Sequence, residues 1–517
     1  MTTGRMTRRT LLLATAGAAA ARLTRPSGAL AVLGAPSPTK LSDLRVGSLT
    51  PAGRRIELPQ SADLLGVEWH GPARTRVELR FYADARWSPW QSAAAVGHGP
   101  DQWSAAGAVV GDPVWSGGTH AVQLRSDRPL SGVRLHLIDV SGGIGARHMA
   151  RIGGGSRIGE LALAAALPRA GPVLAAGPGQ PPIIARRAWA RGGAHPRVAP
   201  IYGAVQMAFV HHTENPNGYL PREVPAMLRA IFAFHRYIHG WNDIGYNFVI
   251  DAFGRIFEAR AGGIDEPVVG AQAGGYNLVS TGVAVLGSFT GRPISKPARR
   301  ALERLLAWKL ALHGVSAEGR VSVRVNPQGA PYSRFPANAL VSLPRIAGHR
   351  DADTTDCPGD GLYRELPAIR ANVLGRAPRP ARATLALIEP SAPETATGPT
   401  AARPATLVGT LAFLDGTLIA GARILIQARS VARRGELVLE QTLAQAVTDG
   451  AGRWSLSIGL MSVTRGGISL RALYAGARAS VSPAIGATVS DPLLLPAALN
   501  PAPAPAPTQP AAPAPAT

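Results

Sequence analysis

A single cysteine occurs among 517 residues, Cys357, within the stretch "GHRDADTTDCPGD" that runs from Gly348 to Asp360. With no second thiol it forms no disulfide within the chain, which leaves three roles: a small buried hydrophobe, a reactive thiol or a metal ligand. His349 precedes it in a loop rich in Asp, Thr and Gly, and such a loop can fold both donors toward one point. Two donors from one loop need a third from elsewhere to make an open catalytic zinc site. The stretch "FVHHT" offers His211 and His212. On a strand these neighbours point to opposite faces, so only one of them reaches a given metal. No H-E-x-x-H occurs, which argues against a general zinc peptidase.

These donors need a scaffold, and the text from 181 to 376 supplies one. Strand-like runs ("AVQMAFVHHT", "GYNFVIDAFGRIFEAR", "TGVAVLGSF") alternate with helical ones ("REVPAMLRAIFAFHRYIHG", "PARRALERLLAWKLALHG"), the mark of an α/β or α+β domain; an α/β domain with a mixed sheet and flanking helices is the expected fold. Pro297 starts the second helix and Gly314 sits just past its end. In the first helix Val224, Leu228, Ile231, His235 and Ile238 form one stripe, which aims His235 inward.

Two small antiparallel β-sandwich domains are expected to flank this centre, at 46–142 and 405–490. In the first, Val77, Leu79 and Phe81 alternate with Glu78 and Arg80, and Val133, Leu135 and Leu137 alternate with Arg134 and His136. Trp69, Trp87, Trp90, Trp103 and Trp115 read as its core and rim. In the second, Trp454, Leu456 and Ile458 face away from Ser455 and Ser457. Linkers are expected at 143–180, with a short helix near "GELALAAAL", and at 377–404, followed by a Pro/Ala-rich tail at 491–517.

Several central stretches resemble, in order, those of the peptidoglycan recognition protein and type-2 N-acetylmuramoyl-L-alanine amidase superfamily: "RRAWA", "FVHHT", "FHRYIHGWNDIGYNFVIDAFGRIFEAR", "GAQAGGYNLVSTGVAVLGSF" and "GHRDADTTDCPGD". The resemblance covers about 190 residues and leaves both sandwiches outside it. It implies that His211, His349 and Cys357 hold Zn2+, with His212 on the other face. It implies that Tyr246 stabilises the oxyanion and that Thr355 assists, although a Thr in a polar loop also caps turns. The implied substrate is peptidoglycan, contacted by His235 and Asn277, with Gln272 standing where many relatives have histidine. Gly240, Trp241 and Arg260 resemble the combination that favours diaminopimelate, since a guanidinium can hold its extra carboxylate bidentately. Ala259 replaces the usual Gly before that arginine. The implied activity is hydrolysis of the lactyl–L-Ala amide, with a binding-only recognition module as the alternative.

The N-terminus points to export. Arg8-Arg9 precede an apolar run from Leu11 to Ala21, and Ala29-Leu30-Ala31 offers a cleavage site, so residues 1–31 resemble a twin-arginine signal peptide. No apolar stretch long enough to span a bilayer follows it. The expected location is secreted or in the cell envelope. The formal charge of +22, from 54 basic and 32 acidic residues, favours an anionic partner such as a cell-wall polymer. The bases are spread along the chain without a nucleic-acid motif, which argues against nucleic acid.

Overall fold

The computed structural model describes residues 39–72, 75–95, 97–101, 108–142, 180–191, 193–378, 380–388, 403–431, 437–460, 468–474, 488–490 and 493–494. The expected signal segment, the helix near "GELALAAAL" and Trp103 lie outside them.

The central domain is built on a six-stranded mixed sheet. In spatial order its strands are Ile346–Gly348, Met207–His212, Ser280–Val285, Phe248–Ile250, Ile256–Glu258 and Ile183–Ile184. Only Phe248–Ile250 and Ile256–Glu258 pair antiparallel. Such a sheet is buried on both faces and needs cover on each. Helices Lys296–Leu312 and Asp360–Arg376 cover one face, packing Leu302, Leu306 and Ile369 against Val210, Ile250 and Val283. Helix Val224–Ala233 covers part of the other, with Met227 and Ile231 packed among Val249, Phe257 and Ala284. Helix Lys296–Leu312 begins as its punctuation predicts: Ser295 Oγ accepts from the Ala298 N–H, and Gly314 follows its end at φ +64°.

The N-terminal module is antiparallel throughout, with Lys40–Leu49, Leu130–Asp139, Arg54–His70, Val114–Ser126 and Val77–Ala83 as successive neighbours. Val77, Leu79, Phe81, Val133, Leu135 and Leu137 point into its core as their alternation predicts. His136 departs from that pattern. It is buried on the face expected to be wet, bonded to Asp43 at 2.7 Å and Glu68 at 3.1 Å. Trp69 and Trp115 are core residues, whereas Trp87 and Trp90 are half-buried and carry the Arg80 guanidinium over their rings.

The C-terminal module has two antiparallel sheets that share one apolar core, with Leu407 and Leu411 on one and Ile424, Ile426 and Leu470 on the other. Its strands reach beyond the expected 405–490. Ala381–Ala383 and Ala386–Ile388 pair with Arg403–Phe413, and Leu493–Leu494 pairs with Ile468–Tyr474. Composition marks 377–404 as connector because its many prolines and alanines carry little strand signal. The pairing supplies the missing backbone partners and buries Ala381 and Ala383.

Both outer modules dock on the central domain through buried contacts. Leu64, Trp115, Ile138 and Val140 join the apolar cluster around helix Val224–Ala233. At Gly66 a Cβ would fall 2.3 Å from the Phe234 ring, so glycine is what permits this approach. On the opposite side Arg471 Nη1 meets Asp265 at 2.6 Å and Glu266 at 2.9 Å, all three buried.

Candidate metal centre

His211 is the penultimate residue of the strand Met207–His212, and His349 directly follows the neighbouring parallel strand Ile346–Gly348. Ligands collect at the carboxyl ends of strands in such sheets, and here the topology brings the two histidines together there. A turn at His349–Asp351 and the loop after it return Cys357 to the same point. The ligand atoms of His211, His349 and Cys357 lie within 4.8 Å of one another, and all three side chains are buried.

Each donor is oriented from behind. His211 Nε2 contacts Gln272 Oε1 at 2.6 Å, while Gln272 Nε2 donates to Ser280 Oγ, so the amide oxygen receives the imidazole proton. This leaves His211 Nδ1 facing Cys357 Sγ at 3.7 Å. His349 Nε2 contacts Asp353 Oδ2 at 2.9 Å, and its Nδ1 is buried with no hydrogen-bond partner among the described residues. Both imidazoles therefore present Nδ1 to the same space with Nε2 occupied, the arrangement that fixes histidine as a metal ligand. The His212 backbone N–H donates to Cys357 Sγ at 3.4 Å. The His212 ring lies on the opposite strand face, where Nε2 meets Glu214 at 2.7 Å.

The electrostatics fit the same group. Burial holds His211 well below its ordinary value, with the His349 and His98 rings adding to the effect. Burial, then His212, lowers His349 to about 3. Both are neutral at pH 7, as ligation requires. Burial pushes the Cys357 thiol up, so a cation is needed to make it a thiolate. Two neutral imidazoles, one thiol and an orphaned histidine nitrogen are a donor set that suits zinc.

Tyr246 is buried, its ring 5.3 Å from that of His211. Burial, with the Asp112 carboxyl next in effect, raises its hydroxyl well above the ordinary value and keeps it protonated. Thr355 Oγ1 accepts from the Cys357 N–H at 3.2 Å, the turn-capping role open to a threonine in that loop. His235 sits in a π-helical turn, Phe234–Ile238, that continues helix Val224–Ala233, with Nδ1 accepting from the Gly245 N–H. Gly240, at φ +72°, turns the chain into Trp241, whose ring stacks on His239 and lies 4.5 Å from His235. The half-buried Arg260 donates to the Ile244 carbonyl at 2.9 Å. Asn277 opens a short 3-10 turn and accepts from the Gln272 and Ala273 N–H groups. His235 and Trp241 thus gather beside the metal site, whereas Gln272 stands behind His211 as a positioning group.

Sequence reasoning missed Asp353, although it follows His349 at helical spacing. It also missed His98 and Asp112, which reach the centre from the N-terminal module. Burial and the Glu214 charge push the Asp112 carboxyl up to about 8. Nothing in the local text around either residue signals this role, because the contact depends on how the modules dock.

A family described as N-acetylmuramoyl-L-alanine amidase matches residues 201–360, and one described as Rv3811 N-terminal galactose-binding domain-like matches residues 35–149. A peptidoglycan-recognition protein of Drosophila simulans is 31% identical over 185 residues, which cover 36% of this chain and 85% of the relative. The N-acetylmuramoyl-L-alanine amidase of Sus scrofa is 28% identical over 211 residues, covering 39% of this chain and 30% of the relative. The chain thus spans less than a third of that amidase. The solved structure of wild-type Drosophila PGRP-LB aligns at 25% identity over 36% of this chain and 92% of its own, with a TM-score of 0.28. The chain belongs to the peptidoglycan recognition protein and type-2 amidase superfamily.

Proposed function

We propose that this protein is an exported, zinc-dependent N-acetylmuramoyl-L-alanine amidase that hydrolyses the lactyl–L-Ala amide of peptidoglycan. The observation that carries the reading is the trio His211, His349 and Cys357, with both histidines turned Nδ1-inward by Gln272 and Asp353. When bound, zinc supplies a Lewis acid that acidifies water and polarises an amide carbonyl.

The rest falls to the chain. Gln272 and Asp353 hold the imidazole protons on Nε2, so neither ring reorients during turnover. Tyr246, protonated and buried beside His211, donates to the carbonyl oxygen as negative charge develops there. Burial around the centre excludes bulk water, which strengthens that hydrogen bond. His235 and Trp241 offer a ring surface for the peptide beside the lactyl group. Arg260, near enough to influence the His235 ring, is the guanidinium that would meet a second carboxylate on a diaminopimelate residue. The apparent twin-arginine leader at 1–31 supports export, and the net positive charge suits an anionic envelope. Among the described residues no helix is long and apolar enough to cross a membrane.

The test is to incubate the zinc-loaded chain with diaminopimelate-type peptidoglycan and to look by mass spectrometry for stem peptides with a new L-alanine amino terminus. The reading expects them from the wild type and not from Cys357→Ala. Binding without new termini would replace the enzyme with a recognition module.

A further inference from the structure

The candidate groove, the space bounded by His211, His235, Trp241, Tyr246 and His349, is filled by this chain's own Gly97–Asp101. His98 is 6% exposed although it belongs to the N-terminal module. Its ring lies 5.5 Å from His349, 6.2 Å from His211 and His235, 5.4 Å from Trp241 and 5.7 Å from Tyr246, centroid to centroid. Its Nε2 is buried there without a hydrogen-bond partner among the described residues. Beside it the Gly99 carbonyl accepts from Asn277 Nδ2 at 2.9 Å. Asp101 Oδ1 accepts from the same nitrogen at 2.8 Å and from the Gly275 N–H at 2.9 Å. The segment is closely fitted: a Cβ on Gly97 would sit 3.0 Å from the Thr355 Cβ, and one on Gly99 would sit 2.6 Å from Tyr332 Oη.

We propose that Gly97–Asp101 is a pseudosubstrate strap: it lends the groove a peptide carbonyl and a carboxylate in place of those of an acidic peptide, and holds the protein latent until displaced. This rests on the groove being the one that takes the peptide. The chemistry of the contacts is that of a peptide ligand. Asn277 Nδ2 and the Gly275 N–H form a donor pair suited to a carboxylate, and the strap supplies one. The His98 ring fills space beside Tyr246 and Trp241 that a substrate would need. A groove closed in most molecules lowers apparent affinity by the fraction that is open, so loosening the strap tightens binding without any new contact.

The test compares the full chain with His98→Ala, Asp101→Ala and Gly99→Val, the last displacing the strap by bulk alone, after thermal melts establish that each is folded. One readout is the rate at which Cys357, the sole thiol, reacts with a thiol reagent after zinc removal by a chelator. The second is the affinity of the zinc-loaded chains for the soluble tripeptide L-alanyl-γ-D-glutamyl-meso-diaminopimelate. The strap predicts faster labelling and an affinity gain of about tenfold or more in the variants. Unchanged labelling overturns it. Faster labelling with weaker tripeptide binding also overturns it, because the segment would then be part of the peptide's seat. Faster labelling with no tripeptide bound by any chain keeps the closure and removes the peptidoglycan reading instead.

Discussion

Among single residues, the cluster of His211, His349 and Cys357 suits a metal because each side chain directs one nitrogen or sulfur into the same space. Asp353 and Gln272 never need touch a metal, yet they decide which imidazole nitrogen faces it. Asp353→Ala is therefore expected to weaken zinc affinity by about 10–100-fold, read by competition with a chromogenic chelator, with the fold retained. His239 carries a different expectation. Burial, then His98 and His136, lowers it to about 3, so the folded chain holds it neutral while the unfolded chain protonates it below about 6.5. Its contribution is fully present above pH 6.5 and is lost as pH falls toward 3. Denaturant melts of His239→Gln against wild type should show the acid-side slope flattened by about 1.4 kcal/mol per pH unit in that window. Of this centre, the three donors and Tyr246 were legible in the sequence because motif text surrounds them. Gln272 was legible as a position and not as a role, since only the folded sheet shows that it stands behind His211.

At the scale of elements, alternation did most of the predictive work. It separated His211 from His212, and the structure puts them on opposite faces of Met207–His212. It failed at His136, where Asp43 and Glu68 from neighbouring strands offer partners that a single strand's pattern cannot reveal. It also failed at Ala381–Ala383, whose strand identity comes from pairing with Arg403–Phe413. The contact of Gly66 with Phe234 yields an element-scale test. Gly66→Ala places a methyl where the ring lies, and the cost should be about 1–3 kcal/mol of stability by thermal or chemical melts. An unchanged melting curve would mean that the strand Arg54–His70 does not press on the π-helical turn.

At the scale of the whole molecule, the outer modules are parts of the central domain's surroundings rather than beads on linkers. Linkers are expected at 143–180 and 377–404, but composition says nothing about whether a module at the end of a connector docks. Arg471 fastens the C-terminal module to Asp265 and Glu266 in a buried setting. Arg471→Ala removes the cation facing both carboxylates and should cost about 3–5 kcal/mol, read from chemical denaturation of the full chain. The N-terminal module does more than dock, because it delivers His98 and Asp112 to the centre. Everything at the centre depends first on the three donors. X-ray absorption at the zinc edge of the full chain, loaded with one equivalent of zinc, tests them directly. The expected result is a first shell containing one sulfur and two imidazole nitrogens, with the sulfur lost in Cys357→Ala. A shell of nitrogen and oxygen alone, unchanged by that substitution, would contradict it.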